Sequence, residues 1–162
     1  MAEGFAFLKL EGIDGESQDQ DYPDQIQLQS MSFGVSNAGS FGYGTGGGTG
    51  KANIQDISCS KFVDKASVRL WQYCATGKHI PSATITLLKQ SDETKIDYYK
   101  YELTDVMITS YQKSASGGGD LPMESFSLAF AQIKTTYQPQ GNTGDATGNV
   151  DFGWDLQKAA KV

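Results

Sequence analysis

The feature that most constrains this chain is a two-residue alternation of apolar and polar side chains that recurs along it. Ile26-Gln-Leu28, Ala83-Thr-Ile-Thr-Leu87 and Phe126-Ser-Leu-Ala-Phe130 each put an apolar group at every second position. Successive side chains of a strand point to opposite faces, so this period makes each segment a strand with one buried face. Segments 5–10, 52–59, 95–103, 106–112 and 133–137 are further strand candidates, and a last strand ends near Asp155. Runs of Gly, Ser, Asn and Asp separate them, notably Ser114-Ala-Ser-Gly-Gly-Gly-Asp120, and residues 140–149 read as a long loop. Many short strands predict a mainly β sandwich or barrel. A chain of 162 residues suits one domain, 1–162, large enough to bury a core without metal or disulfide staples.

One segment departs from the alternation. Between Asp64 and Thr76 the residues Val68, Trp71 and Ala75 recur at helical spacing, Asp64 or Ser67 is placed to cap the start, and Gly77 stands where helices commonly end. This predicts one short amphipathic helix whose Trp71 stripe anchors it in the core.

The glycine-rich run from Phe41 to Lys51 invites a phosphate-binding reading that its residues reject. A Walker A loop requires glycine five positions before its Gly-Lys and a hydroxyl after it; here Thr45 precedes Gly50 by five and Ala52 follows Lys51. Gly42, Gly44 and Gly47 meet the G-x-G-x-x-G pattern, yet the apolar strand and following helix of a dinucleotide site are missing from the flanks. The formal charge of −6 offers no basic stripe to a phosphate backbone, so nucleic acid is not an expected partner. No segment holds the roughly 18 uninterrupted apolar residues of a membrane helix. The amino terminus lacks the basic region and apolar core of a Sec signal peptide. Membrane insertion and Sec export are therefore not expected. Cys59 and Cys74 do not form a C-x-x-C pair and read as two partly buried free thiols.

Catalytic chemistry finds little footing. His79, the single histidine, would have to serve as the base of any triad, no G-x-S-x-G sequence occurs, and His79 reads as a loop residue beside Pro81. Glu11, Asp14, Glu16, Asp19, Asp21 and Asp24 do not follow calcium-loop spacing and read as a solvated acidic loop. No enzymatic activity, cofactor or metal is expected. Tyr98, Tyr99 and Tyr101 keep open an alternative, a β-sandwich carbohydrate- or protein-binding module with an exposed aromatic platform.

A series of short motifs carries a family resemblance through its order and spacing. Gly34-Val-Ser36, the glycine-rich loop, Gly50-Lys51, Asn53-Ile-Gln-Asp56, Lys61 with Asp64-Lys65, Gly77-Lys-His-Ile-Pro81, Phe130-Ala-Gln132, Tyr137-Gln-Pro-Gln140 and Trp154 span nearly the whole chain. Together they resemble Hcp, the tube protein of bacterial type VI secretion. Met31 and Phe33 stand where many members carry tryptophan, still bulky and apolar.

The resemblance implies a small β-barrel of two packed sheets with one short α-helix, assembled as a homohexameric ring with a wide channel. Rings of the family stack into a tube inside a contractile sheath, with a spike protein at the tip and effector toxins in the lumen. The chain is then expected to begin in the cytoplasm and to be secreted. It is also expected to be a bare tube subunit, since it ends soon after Trp154 without room for an appended toxin domain. On this reading Ser40, Phe41, Tyr43, Gly46, Gly47, Gly48 and Lys51 make ring-stacking or subunit contacts, because a backbone without Cβ atoms can lie close to a neighbour. Ser114 and Ser116 are the candidate lumen or cargo contacts.

Overall fold

The computed structural model describes residues 5–39, 52–91, 94–139 and 148–162. The chain forms β1 (Ala6–Leu10), β2 (Ile26–Leu28), β3 (Ser30–Ser32), β4 (Val35–Asn37), β5 (Ala52–Ile54), β6 (Ile57–Phe62), α1 (Ser67–Thr76), β7 (Ile80–Ser91), β8 (Thr94–Ser114), β9 (Met123–Tyr137), β10 (Val150–Asp155) and β11 (Ala160–Lys161). Nine strands make one antiparallel sheet in the order β11-β10-β9-β8-β7-β1-β2, with β6 added on β9 and β3 on β6; β4 and β5 form a separate pair. Among the described residues the fold is mainly β with one helix and two sheets, as expected.

Strand β9 organises this sheet. Strand β8 pairs along one of its edges, whereas the other edge is divided: β6 takes Met123 to Leu128, and β10 takes Gln132 to Tyr137. The sheet thus separates into two leaves. One consists of β3, β6 and the adjoining halves of β9 and β8; the other runs through β2, β1, β7 and the remaining halves. Ile57, Cys59, Ile108, Phe126 and Leu128 of the first leaf join Leu8, Ile26, Ile85, Leu103 and Ile133 of the second in one core. Each aliphatic or aromatic side chain buried this way contributes roughly 1.5–3 kcal/mol relative to exposure. At one flank the hydrogen-bonded ladder is open, and the chain itself crosses between leaves at Gln29, whose N–H donates to the Ser60 carbonyl at 2.7 Å.

Several sequence expectations are corrected here. Segments 95–103 and 106–112 are one strand, β8, because Asp105 enters the left-handed region (φ 61 and 55° mark Asp24 and Asp105) without ending the pairing. Asp tolerates this conformation, and it switches the core-facing set from Tyr101 and Leu103 to Val106 and Ile108. The segments around Phe126–Phe130 and 133–137 likewise merge into β9. Segment 52–59 is instead two strands, broken where the Gln55 N–H donates to the Gly34 carbonyl at 2.9 Å.

The helix is shorter than expected and faces differently. Its N-cap is Ala66, with no side-chain cap. Asp64 accepts the Ala66 N–H at 2.8 Å, and Ser67 Oγ accepts the Asp64 N–H at 3.0 Å, so both candidate caps shape the turn before the helix. Gly77 is left-handed (φ 67°) and closes the helix as expected, its N–H donating to the Tyr73 carbonyl. The anchor is Leu70, fully buried, whereas Trp71 is 53% and Val68 59% exposed. The Val68–Trp71–Ala75 stripe follows helical spacing but lies away from the core; Ser67, Leu70, Tyr73 and Cys74 carry the inner face.

Candidate functional site

The outward face of the first leaf is built from a repeated Ser-x-Ser. Ser30 and Ser32 on β3, Ser58 and Ser60 on β6, and Ser125 and Ser127 on β9 occupy alternate positions, while Cys59 and Phe126 between them point into the core. Strand register places them side by side: Ser30 opposite Ser60, Ser60 opposite Ser125, and Ser125 opposite Gln112 of β8. The next row is Ser32, Ser58, Ser127 and Ser110.

Hydroxyls bridge these strands. Ser30 and Ser60 are hydrogen bonded, Ser110 meets Ser127 at 2.6 Å, and Ser127 meets Thr109 at 2.7 Å. Thr109 donates to the Asp56 carboxylate at 2.7 Å. Its single proton is then committed, so Ser127 donates to Thr109 and Ser110 to Ser127, a directed chain ending on Asp56. The result is a broad surface of small hydroxyls able both to donate and to accept. Its rows lack large apolar groups, so it can contact a polar solute without holding it tightly.

The reverse of the same strands is locked by a buried ionic cluster. Lys61 is fully buried, and its Nζ reaches Asp64 Oδ1 at 2.6 Å, the Phe62 carbonyl at 3.2 Å, Ser67 Oγ at 3.3 Å, and Glu124. Glu124 also accepts from Ser67 Oγ and from the Tyr111 hydroxyl. Burial alone would raise the Glu124 carboxyl, but hydrogen bonds from Lys61, Ser67 and Tyr111, with the Lys61 charge, outweigh it and hold the group below its ordinary 4.5. Tyr111 is pushed well above its ordinary value by burial and by Glu124. Loop 63–66, α1, β6, β8 and β9 are thereby joined at one point. Cys59, beside Lys61 in β6, is a buried free thiol pushed up to about 12 by burial, and Cys74 is a half-buried free thiol.

The other sequence candidates separate in space. Ser114 and Ser116 are exposed at the β8–β9 turn, beside a recess of about 640 Å³ that also meets Phe62, Leu121 and Met123. Ser40, Phe41, Tyr43, Gly46, Gly47, Gly48 and Lys51 lie outside the described residues. Tyr101 is buried and packs edge-on to Phe33 with centroids 5.8 Å apart, and Tyr99 stands 5.0 Å from it. With Tyr101 buried and Tyr98 and Tyr99 half-buried, the three tyrosines do not present one exposed platform. His79 pairs its Nδ1 with Asp105 at 2.7 Å on the surface. Five of the six loop carboxylates are exposed, and Asp19 pairs with Lys95 at 2.6 Å, a bond that lowers its pKa.

Sequence reasoning missed the serine face, although its signal was present: Ser30-Met-Ser32, Ser58-Cys-Ser60 and Ser125-Phe-Ser127 are three copies of one alternation. Their adjacency required the register.

Comparison with known proteins agrees over almost the full length. The family profile described as Type VI secretion system effector, Hcp, matches residues 7–137. Protein hcp1 of Pseudomonas aeruginosa is 37% identical over 153 residues, covering 94% of both chains. A solved structure of a type six secretion system protein superposes with a TM-score of 0.90 at 32% identity, covering 97% of this chain and 98% of the other. Hcp1 from Salmonella typhimurium gives 0.80 at 30% identity, covering 97% of each. With residues 7–137 matched to the profile and relatives above 30% identity along nearly all of its length, this chain belongs to the Hcp family of type VI secretion proteins.

Proposed function

We propose that the chain is a structural subunit of a type VI secretion tube: six copies form a ring, rings stack, and the serine face lines the channel. The observation that carries this is the placement of that face between two strand edges without a partner among the described residues. Strand β3 pairs only with β6, and β8 beyond Val106 pairs only with β9. A sheet with one open edge on each side can continue into another copy on both sides, a heterologous contact that closes when its rotation divides a full turn. Closure also covers edges that otherwise invite aggregation.

In this arrangement the subunit acts mechanically and turns over no substrate. A contractile sheath around the tube, a spike protein at its tip and effector proteins inside are the partners it implies, with passage from the cytoplasm to a target cell or the medium. Small hydroxyls suit the wall of such a channel because they replace hydration without gripping a passing chain. Ser114 and Ser116 sit at the end of the same leaf, where they would form part of its lip. Ser40 to Lys51 remains the proposed stacking contact. Shortening it to a tight turn should leave rings intact and abolish tubes.

The test combines light scattering with electron microscopy. The expected result is a mass of about six subunits and ring-shaped particles. Gold coupled to Ser58→Cys, on a Cys74→Ser background, should appear at the ring centre. A label on the outer rim would overturn the orientation, and a monomer at high concentration would overturn the ring.

A further inference from the structure

Among the exposed apolar surfaces, two flank the leaf that carries the serine face. The first is the α1 stripe, Val68 and Trp71. The second is a groove of about 320 Å³ between the β4–β5 pair and the ends of β9 and β10, where Phe33, Val35, Ile54, Phe152 and Trp154 meet. Val35 is 55% and Phe152 51% exposed. Both surfaces are continuations of the core. The groove adjoins Ile133, a core residue, and the stripe flanks the buried Leu70.

Their positions are complementary. Helix α1 packs on the reverse of β8, beside the half of that strand whose far edge lacks β7. The groove begins at Phe33, immediately after β3, and is walled by β10 on the opposite edge of β9 from β8. The stripe and the groove therefore lie on opposite flanks of the leaf, each next to one open edge. Charge agrees. Residues 65–78 carry Lys65, Arg69 and Lys78 and no carboxylate, in a chain of net charge −6. A helix flanked by cations, with an exposed Trp, fits an acidic body of its own kind.

We infer that the Val68–Trp71 stripe of one copy seats in the groove formed by Phe33, Val35, Ile54 and Phe152 of the next copy. The inference rests on the ring reading and assigns the surface through which successive copies are held. Seating removes Trp71 and Val68 from water on one side and covers the open end of the core on the other, the pattern of an aromatic anchor in a pocket.

Single variants and their mixture test this. Trp71→Glu and Val35→Glu should each weaken association by at least about thirty-fold, the loss of one anchor contact, leaving monomers by light scattering. Phe5→Glu, at an exposed apolar position that lines neither surface, should keep the wild-type mass. Because the contact is heterologous, an equimolar mixture of the Trp71→Glu and Val35→Glu proteins retains one intact stripe and one intact groove. It should give dimers that grow no further. That rescue also shows that both variants are folded. Wild-type-like rings from Trp71→Glu, or a mixture that stays monomeric, would overturn the inference while leaving the ring reading intact. A wild-type protein that is itself monomeric would remove both.

Discussion

The two faces of the first leaf share the same backbone and differ in every physical respect. Outward, Ser58, Ser60, Ser125 and Ser127 meet water and each other. Inward, one residue away along the same strands, Lys61 and Glu124 are sealed under α1 with their hydrogen-bonding capacity met by Asp64, Ser67, Tyr111 and the Phe62 carbonyl. The contrast shows how a strand divides labour at a period of two. The outer set is free to suit whatever passes over it, because stability resides in the inner set. A buried ion pair is weak evidence of net stabilisation, since desolvation offsets the attraction, but a half-removed pair is costly. The inner face is thus intolerant of single changes, and the outer face tolerant.

The largest break in this comparison is expected from Lys61→Met. It fills similar volume but leaves Glu124 buried without its cation, at a cost of about 3–5 kcal/mol, read as a lower urea midpoint. Replacing the pair together, Lys61→Met with Glu124→Leu, should lose much less. A double variant as unstable as the single one would show that the ion pair is not the reason.

Acid should act on the same point with a smaller effect. Glu124 has its folded pKa held below the ordinary 4.5, so the folded state binds fewer protons there than the unfolded state. The associated stability is present above about pH 4.5 and is lost as pH falls through the folded value. Urea midpoints followed from pH 7 to pH 3 should fall steeply at the acid end, and Glu124→Gln should flatten that fall. The smallest change is expected on the outer face, where Ser58→Ala or Ser125→Ala should stay within about 0.5 kcal/mol of the parent. A loss as large as that of Lys61→Met would erase the distinction between the faces.

Much of the fold was legible because alternation is local. Ile57, Cys59, Phe126 and Leu128 face the core as their period requires, and Gly77 ends the helix because a left-handed residue costs glycine little. The errors came where a long-range partner overruled a local signal. Asp105 looked like a break between strands, yet pairing with β9 carried β8 through it. Trp71 looked like the anchor of an amphipathic helix, yet the helix is oriented by Ser67 reaching Glu124 and by Leu70 entering the core, and this turns Trp71 outward.

The sequence by itself determined the strand character, the short helix ending at Gly77 and, through the order of its short motifs, the family. Only the tertiary structure decided that three distant Ser-x-Ser segments form one surface, that Lys61 and Glu124 form one pair, and that the stripe and groove flank opposite edges. The physical reason is that alternation states which residues share a face of one strand, whereas adjacency between strands depends on register, and register is set by the packing of the whole core.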